Sequence, residues 1–184
     1  IVVGIDIGGS TTKIAGFRRK EMLVPVQISA SNAIASLFGA FGKFLYDNKL
    51  ELKDIQQVNL TGVGSSEVNQ PLYGLPTYKV DEVTANGVGG GYFAGDKKEF
   101  MVVSMGTGTS FVGVKNGVPA HLGGIGIGGG TIIGLSKLML STNDIDKIQA
   151  AGISNTQQYK MAGNSIVVDV LEAIFKELFC NTSK

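Results

Sequence analysis

Two glycine- and hydroxyl-rich segments each follow an apolar run, and both have the composition of a phosphate-binding turn. The first reads GIDIGGSTTK over residues 4–13, and the second reads VVSMGTGTS over residues 102–110. Successive N–H groups in such a turn converge on an anion, and glycine lets a phosphate approach closely. We expect phosphate contacts from the following residues: Gly8, Gly9, Ser10, Thr11, Gly106, Thr107, Gly108 and Thr109.

The two segments occupy equivalent places in an internal repeat. An offset of 98 residues aligns Gly8 with Gly106 and Thr11 with Thr109. In each half an apolar strand, a glycine-rich turn and a second apolar strand follow one another, and such repetition indicates duplicated structural units. The sequence therefore predicts one phosphate-binding hairpin in each of two domains, with a polyphosphate held between them.

Asp6 and Lys13 flank the first turn and could act on the same phosphates. Asp6 ends a buried apolar strand, where an unpaired carboxylate is costly, and Mg²⁺ is usually held through water and one or two carboxylates. The alternative for Asp6 is an acceptor within the turn itself. Lys13 could reach a phosphate as a point charge or could be a solvated strand lysine. We interpret Asp6 as a magnesium ligand and leave both roles of Lys13 open.

Two predicted helices begin with residues that could carry chemistry. Gly128, Gly129 and Gly130 precede one of them, and N–H groups at a helix N-terminus bind anions; the alternative is a flexible loop. Glu82 begins the other, where a carboxylate can orient an accepting hydroxyl and take its proton. From the sequence alone, a partner for the helix dipole is the favoured interpretation of Glu82.

Periodicity of apolar residues predicts the elements that position these side chains. Strands are predicted over 1–7, 12–17, 22–29, 55–60, 77–80, 99–105 and 110–115. Helices are predicted over 32–48 with Ser31 as the cap, 82–94, 131–140 and 166–179. The first glycine turn therefore joins two strands, which argues against a Rossmann or P-loop turn because those must open a helix.

Composition narrows the function classes. The chain of 184 residues has 27 glycines, a net charge of +1 and one cysteine, Cys180, which excludes an internal disulfide and a multi-cysteine metal site within one chain. No apolar run reaches the roughly 18–20 residues of a membrane helix, and the charge balance gives no case for nucleic acid or a membrane surface. We expect a cytoplasmic protein that acts on a small molecule.

The motifs resemble those of a known kinase family. GIDIGGSTTK resembles the first phosphate motif of the superfamily of acetate and sugar kinases, Hsp70 and actin. SMGTGTSFVGV and HLGGIGIGGGTIIGLSKLM resemble the type II pantothenate kinases, and LTGVGSS and VDEVTANGVG fall in that family's order. The resemblance covers roughly residues 1–160 and is most specific over 99–140.

This resemblance implies an α/β, two-domain ribonuclease-H-like (actin-like ATPase) fold, with mixed sheets flanked by helices and a cleft between the domains. We place the domains at residues 1–97 and 98–184. The second half is expected to be incomplete, because the adenosine-binding segment and the closing helices of the family are not found in it.

The resemblance also implies a reaction and roles for residues. The reaction is ATP-dependent phosphorylation of pantothenate to 4′-phosphopantothenate, the first step of coenzyme A biosynthesis. Glu82 would be the catalytic base and Asp6 would serve Mg²⁺. Lys13 would belong to the first phosphate loop, and Thr107 and Ser110 would lie near the reacting groups. Gly128–Gly130 would approach the nucleotide. A homodimer and regulation by acyl-CoA are further implications.

One departure from the family pattern keeps alternatives open. The family usually has an arginine just ahead of GGIG, where this chain has His121, and histidine is mostly neutral at pH 7. His121 could act on the substrate near the phosphate or be structural. The alternatives are a nucleotide- or CoA-binding pseudokinase and the ATPase that activates 2-hydroxyacyl-CoA dehydratases. The N-terminal motif of that ATPase is similar to GIDIGGSTTK, and the ATPase needs an iron–sulfur cluster held by cysteines.

Overall fold

The structure, a computed structural model, describes residues 1–9, 11–29 and 32–142. Within these residues the strands are β1 (Val2–Ile7), β2 (Thr11–Arg18), β3 (Glu21–Met22), β4 (Val26–Ser29), β5 (Gln57–Thr61), β6 (Thr77–Lys79), β7 (Glu99–Met105), β8 (Thr109–Lys115) and β9 (Val118–Ile125). The α-helices are α1 (Ala33–Asp47), α2 (Glu82–Ala94) and α3 (Gly129–Leu140). The predicted helix over 166–179 lies outside the described residues.

The first sheet is mixed, in agreement with the predicted α/β class. Its strands follow the order β3-β2-β1-β5-β6, with β4 also paired to β2. β1 runs antiparallel to β2 and parallel to β5, and β5 runs parallel to β6. The hairpin predicted around the first glycine turn is therefore present, and the parallel neighbour of β1, β5, comes from later in the chain.

One face of this sheet carries the core of the described residues. Side chains alternate along β1, so that Val3, Ile5 and Ile7 are fully or almost fully buried. The apolar stripe of α1 covers them with Leu37, Ala40, Phe41 and Phe44, all of which have no exposed surface. Burial of large side chains on this face holds β1 and β2 in fixed register beneath the turn that joins them.

Helix α2 lies over the opposite face of the same sheet. The Phe17 ring from β2 meets the Tyr92 ring of α2 edge to face, with centroids 5.7 Å apart. The side chains that alternation turns to this face are mostly small or polar, and they include Gly4, Asp6, Lys13, Asn59 and Thr61. The polar side chains that could bind a ligand therefore lie on this second face, and the core face is apolar.

Two local predictions differ from the structure. The N-cap of α1 is Asn32, whose Oδ1 accepts the N–H of Ala35 at 2.8 Å, and not Ser31. The strand predicted over 22–29 is divided into β3 and β4. The break has a physical cause, since Pro25 has no N–H for the ladder and the Val24 N–H donates to Asn48 instead, at 2.9 Å.

The second sheet has the order β7-β8-β9 among the described residues. The second predicted strand–turn–strand unit is therefore present as β7 and β8. Asn116 and Gly117 join β8 to β9 with φ of +50° and +78°, and positive φ at both positions is typical of a two-residue hairpin turn. No helix in the described parts of the chain is long and apolar enough to cross a bilayer.

Internal contacts group the chain into two compact units. One contains Ile1–Val102 and Val112–Leu122, and the other contains Val103–Phe111 and Gly123–Lys184. The first glycine turn falls in the first unit and the second glycine turn in the second. The domain boundary between residues 97 and 98, and the polyphosphate shared between the turns, stay predictions.

Candidate active site

The first glycine turn is a tight hairpin connection. Ile7 and Thr12 are the last cross-strand partners of β1 and β2, and the Gly8 N–H donates to the Thr11 carbonyl at 2.9 Å. Gly9 is exposed at the tip, and Ser10 lies outside the described residues. The predicted strand–turn–strand connection is therefore present, and the Gly8 N–H already has an acceptor within it. The phosphate contacts of the turn stay a prediction.

Asp6 and Lys13 form an ion pair beside this turn. They are direct partners in the antiparallel register, and Lys13 Nζ lies 2.9 Å from Asp6 Oδ2. Their side chains are 38% and 49% exposed, respectively. Asp6 is therefore not the buried, unpaired carboxylate of the sequence argument, and Lys13 is not merely solvated. An exposed pair of this kind contributes only about 0–1 kcal/mol, so either partner can exchange for a ligand.

A metal ion at Asp6 would not lie in a cluster of protein ligands. In the described ranges no group of three or more histidine, cysteine, aspartate or glutamate side chains could hold a metal. This donor set suits Mg²⁺, which usually keeps several waters and takes further oxygens from substrate phosphates. Asp6 as the magnesium ligand therefore remains a consistent prediction.

Gly62 creates the space in which the Asp6 carboxylate lies. It follows β5, whose last residue, Thr61, is the parallel partner of Asp6. Its φ is +82°, and an added Cβ would collide with Asp6 Oδ1 and lie 2.6 Å from the Ile7 carbonyl oxygen. The TGVGSS segment contributes to the family resemblance, but no role is predicted for Gly62 from the sequence. The available signal was a glycine just after a predicted strand; the pairing of that strand with β1 was not.

Substitution of Gly62 with alanine should be more destabilising than the same change at Gly74. Gly74 also has positive φ, +75°, but its added Cβ would meet nothing within 4 Å. The Gly74→Ala variant therefore reports the cost of backbone strain alone, about 1–2 kcal/mol. At Gly62 the clash with Asp6 and Ile7 should add about 1–3 kcal/mol. Urea unfolding of the two variants measures the difference. Equal losses of stability would show that Gly62 does not constrain Asp6.

The second glycine turn is joined to the start of α3. The Gly106 N–H donates to the Gly108 carbonyl at 2.8 Å, and the Gly129 and Gly130 N–H groups donate to the Gly106 and Thr107 carbonyls at 2.8 and 3.0 Å. A Cβ on Gly128 would lie 2.7 Å from the Gly108 carbonyl oxygen, which requires glycine there. The structure thus brings the second glycine turn into contact with the three glycines at the start of α3.

These contacts differ from the free helix N-terminus that the sequence analysis expected. The N–H groups of Gly129 and Gly130 already have acceptors in the turn, and the hydroxyl of Thr109 is buried and donates to the Ile127 carbonyl at 2.8 Å. Thr107 is exposed, and Ser110 is half-buried in β8. The nucleotide and substrate roles of all these residues stay predictions.

Glu82 is the first residue of α2, as predicted, but its neighbour Asp81 is the N-cap. Asp81 Oδ1 accepts the Thr84 N–H at 2.9 Å, and hydrogen bonds from the side chain and backbone of Thr84 hold the pKa of Asp81 below its usual value. The Glu82 carboxylate is exposed and makes no hydrogen bond or ion pair with the described residues. Since Asp81 already caps the helix, Glu82 is available for another role.

His121 lies in β9 with its side chain exposed. It belongs to the compact unit that also contains Asp6 and Glu82, whereas Thr107 and Ser110 belong to the other unit. Its role near the phosphate, which the sequence analysis left open beside a structural one, stays a prediction.

A groove of about 530 Å³ lies between the first sheet and α2. Asp6 and Lys13 line it together with Asn59 and Thr61 from β5 and residues of α2. The β5 residues are not among the site residues predicted from the sequence. Alternation along QVNLT would have placed Asn59 and Thr61 on one face, but only the pairing of β5 with β1 places that face beside Asp6.

Comparison with known proteins shows which protein family this chain is similar to. No protein-family model matches the chain. A type II pantothenate kinase of Bacillus cereus strain G9842 is 32% identical over 160 residues, which cover 79% of this chain and 52% of that protein. Over this length, the chain is a homologue of the type II pantothenate kinases. The resemblance predicted from the motifs is confirmed, and this kinase homologue spans about half the length of the curated relatives it matches.

Solved structures confirm the fold of the kinase homologue. Component A of the 2-hydroxyglutaryl-CoA dehydratase of Acidaminococcus fermentans matches with a TM-score of 0.61 and 16% identity, over 94% of this chain and 68% of that one. The activator of the 2-hydroxyisocaproyl-CoA dehydratase of Clostridium difficile, solved with bound ADPNP, matches with a TM-score of 0.59, 17% identity, and coverage of 94% and 66%. At these identities the likeness establishes the actin-like ATPase fold alone.

A short part of the kinase homologue has a different relative. An orphan methyltransferase, M.SPBetaI, of Bacillus phage SPbeta is 69% identical over 35 residues, which are 19% of this chain and 8% of that protein. Because the match covers so small a share of the methyltransferase, it shows local sequence similarity and is no evidence for methyltransferase activity in this chain.

Proposed function

We propose that the protein transfers the γ-phosphate of ATP to the hydroxyl of pantothenate and so makes 4′-phosphopantothenate. The observation that carries this proposal is the homology to type II pantothenate kinases over 79% of the chain. The Asp6–Lys13 pair beside a glycine hairpin supports it, because phosphoryl transfer depends on positioning and charge neutralisation more than on covalent chemistry of the protein.

Each part of the proposed site has a role in this reaction. Lys13 exchanges Asp6 for a phosphate oxygen of ATP, at little cost because the pair is half exposed. Glu82 accepts the proton of the attacking hydroxyl. The turn at Gly8 and Gly9 and the turn at Gly106–Thr109 lie against the phosphates. The Gly8 and Gly106 N–H groups and the Thr109 hydroxyl donate within the protein, so their part is to shape the turns around the phosphates.

Asp6 would hold the magnesium ion of magnesium-ATP, and the ion would neutralise charge that develops on the phosphate oxygens. Gly62 contributes indirectly, since it leaves the space in which the Asp6 carboxylate is held. Thr107, Ser110 and His121 are proposed to contact the substrate, and Gly128–Gly130 the nucleotide.

The direct test is an assay of the purified protein with γ-labelled ATP, magnesium and pantothenate. We expect labelled 4′-phosphopantothenate to form, and sugars offered as acceptors to stay unlabelled. Release of labelled inorganic phosphate at the same rate with and without pantothenate would contradict the proposal and indicate an ATPase.

The dehydratase-activator alternative is favoured only by fold, because its structural relatives are 16–17% identical to this chain. Iron content separates the two functions, since an activator of that type needs an iron–sulfur cluster and a pantothenate kinase does not. The pseudokinase alternative would be supported by nucleotide or CoA binding without turnover. A homodimer, an acyl-CoA regulator and a cytoplasmic location complete the proposal and follow from the family resemblance.

A further inference from the structure

A second pocket lies beside strand β6, on the face of the first sheet opposite to the groove. Its volume is about 300 Å³, at the lower end of the range of roughly 300–1,000 Å³ usual for ligand pockets. Leu60 and Lys79 line it and are direct partners in the parallel register of β5 and β6. Such partners share a face of the sheet, and Leu60 belongs to the core on the α1 side. All lining residues belong to one compact unit.

The floor of this pocket is apolar, and hydrogen bonds fix its wall. Leu60 and Val68 are buried core residues that line the floor. The Thr77 hydroxyl accepts the Leu72 N–H at 3.0 Å and donates to the Leu75 carbonyl at 2.8 Å. These two bonds hold the connection between β5 and β6 against the sheet, so the pocket keeps its shape without a bound molecule.

Three exposed residues that line the pocket carry polar groups without partners. Lys79 forms no ion pair with the described residues. Asn69 and Gln70 make no hydrogen bond with that part of the chain, through either the main chain or the side-chain amide. No carboxylate is among the described lining residues. One ammonium group and several N–H donors are therefore available to an anion, for which charge-assisted hydrogen bonds are the strong ones.

The single charge and the apolar floor together select the class of anion. Lys79 supplies one positive charge, which one carboxylate balances. A short hydrocarbon tail on that carboxylate would cover the floor, and each methylene group removed from water favours binding. Inorganic phosphate fits less well, because it would leave the floor uncovered and carries up to two negative charges against one lysine.

We propose that this pocket binds a small aliphatic monocarboxylate. Lys79 and the amides of Asn69 and Gln70 bind the carboxylate group, and Leu60 and Val68 contact the tail. The site goes beyond the proposed function, since it uses none of the residues assigned to phosphoryl transfer.

The chain connects this pocket to the start of α2. Lys79 ends β6, and the next residue, Val80, donates its N–H to the Leu60 carbonyl at 2.8 Å. Glu82 begins α2 two residues later. A carboxylate bound to Lys79 would therefore stabilise the strand that leads into Glu82 and would not enter the groove.

Titration of the full chain with sodium butyrate, followed by ¹H–¹⁵N NMR, tests the proposal. The amide signals of Asn69, Gln70 and Lys79 should shift until saturation with butyrate, and should not do so with sodium chloride at the same ionic strength. Acetate should bind roughly 3- to 10-fold more weakly than butyrate, since it lacks two methylene groups that the floor would partly bury.

Three substitutions at exposed positions separate the pocket from the charge of the whole chain. Lys79→Gln should weaken butyrate binding about 10-fold, the lower end of the effect of a hydrogen bond to a charged group. Asn69→Asp places a second carboxylate beside the first and should also weaken binding. Lys20→Gln removes the same charge as Lys79→Gln from the turn between β2 and β3, which does not line the pocket, and should leave binding unchanged.

Each contrary result would overturn the site, whatever the outcome of the kinase assay. Shifts that do not saturate with butyrate, or that chloride reproduces, would show that no carboxylate binds in the pocket. Equal weakening by Lys79→Gln and Lys20→Gln would show that the net charge of the chain attracts the anion. Tighter binding of inorganic phosphate than of butyrate at the same signals would refute the monocarboxylate as the ligand.

Discussion

Substitution of Glu82 with glutamine should lower kcat for pantothenate phosphorylation by at least about 10²-fold, the lower range of general-base contributions. Glutamine has the same shape as glutamate but cannot accept the proton of the attacking hydroxyl. The Glu82 carboxylate has no partner among the described residues, so the change removes no structural contact there. Steady-state kinetics give kcat, and calorimetric titration with a non-hydrolysable ATP analogue should show unchanged nucleotide affinity.

The adjacent carboxylate provides a matched control. Asp81→Asn removes one negative charge from the same helix start, but asparagine caps helices about as well as aspartate, so the hydrogen bond from the Thr84 N–H is kept. We expect kcat to change little. Equal losses in Asp81→Asn and Glu82→Gln would mean that the charge at the start of α2 matters, and would remove Glu82 as the base.

Much of the fold could be predicted because its signals are local. The bounds of α2, 82–94, agree with the prediction, since Asp81 and Glu82 start a helix after a short strand and Gly95 ends it. Both glycine hairpins are present for the same reason: alternating apolar residues on either side of a turn indicate two strands. Ser31 was wrong as the cap of α1 because neighbouring Ser31 and Asn32 are both good caps, and propensity does not choose between them.

The ion pair between Asp6 and Lys13 was within reach of the sequence but was not predicted. The hairpin around Gly8 and Gly9 fixes the register in which Asp6 faces Lys13, and opposite charges directly across a strand pair attract each other. The prediction of an unpaired carboxylate at Asp6 is therefore wrong. Because Asp6 is paired with Lys13, burial of an unpaired charge is no longer an argument for a metal. The remaining argument is that a carboxylate lies beside a phosphate-type turn.

Other parts of the site depend on contacts between distant segments. Thr61 and Gly62 reach Asp6 only because β5 pairs with β1 in parallel, across about fifty intervening residues, and hydrophobic periodicity does not specify strand partners. The start of α3 is similar. Three glycines before a helix indicate an anion site, yet the Gly129 and Gly130 N–H groups donate to the turn at Gly106 and Thr107. Local sequence could not predict that neighbour.

Substitution of Asp6 with asparagine should lower the rate of phosphoryl transfer on the order of 10²-fold, comparable to loss of one preorganised charge-stabilising group. Asparagine is a weaker ligand for magnesium because it has no charge. It also releases Lys13, whose 2.9 Å contact with Asp6 competes with the phosphates of the nucleotide. The affinity for a non-hydrolysable ATP analogue without magnesium should therefore rise, while the increase in affinity that magnesium normally produces should be lost.

The partner variant should move the same measurement in the opposite direction. Lys13→Met removes the cation and leaves Asp6 free, so the nucleotide without magnesium should bind more weakly, because an unneutralised carboxylate repels its phosphates. Magnesium should then restore more of the affinity than it does in the wild type. Damage to the fold would weaken binding in both variants, whereas exchange of Lys13 between Asp6 and phosphate requires opposite signs. Calorimetry with and without magnesium gives the direction in which each variant changes the nucleotide affinity. Two changes in the same direction would refute the exchange of Lys13 between Asp6 and phosphate.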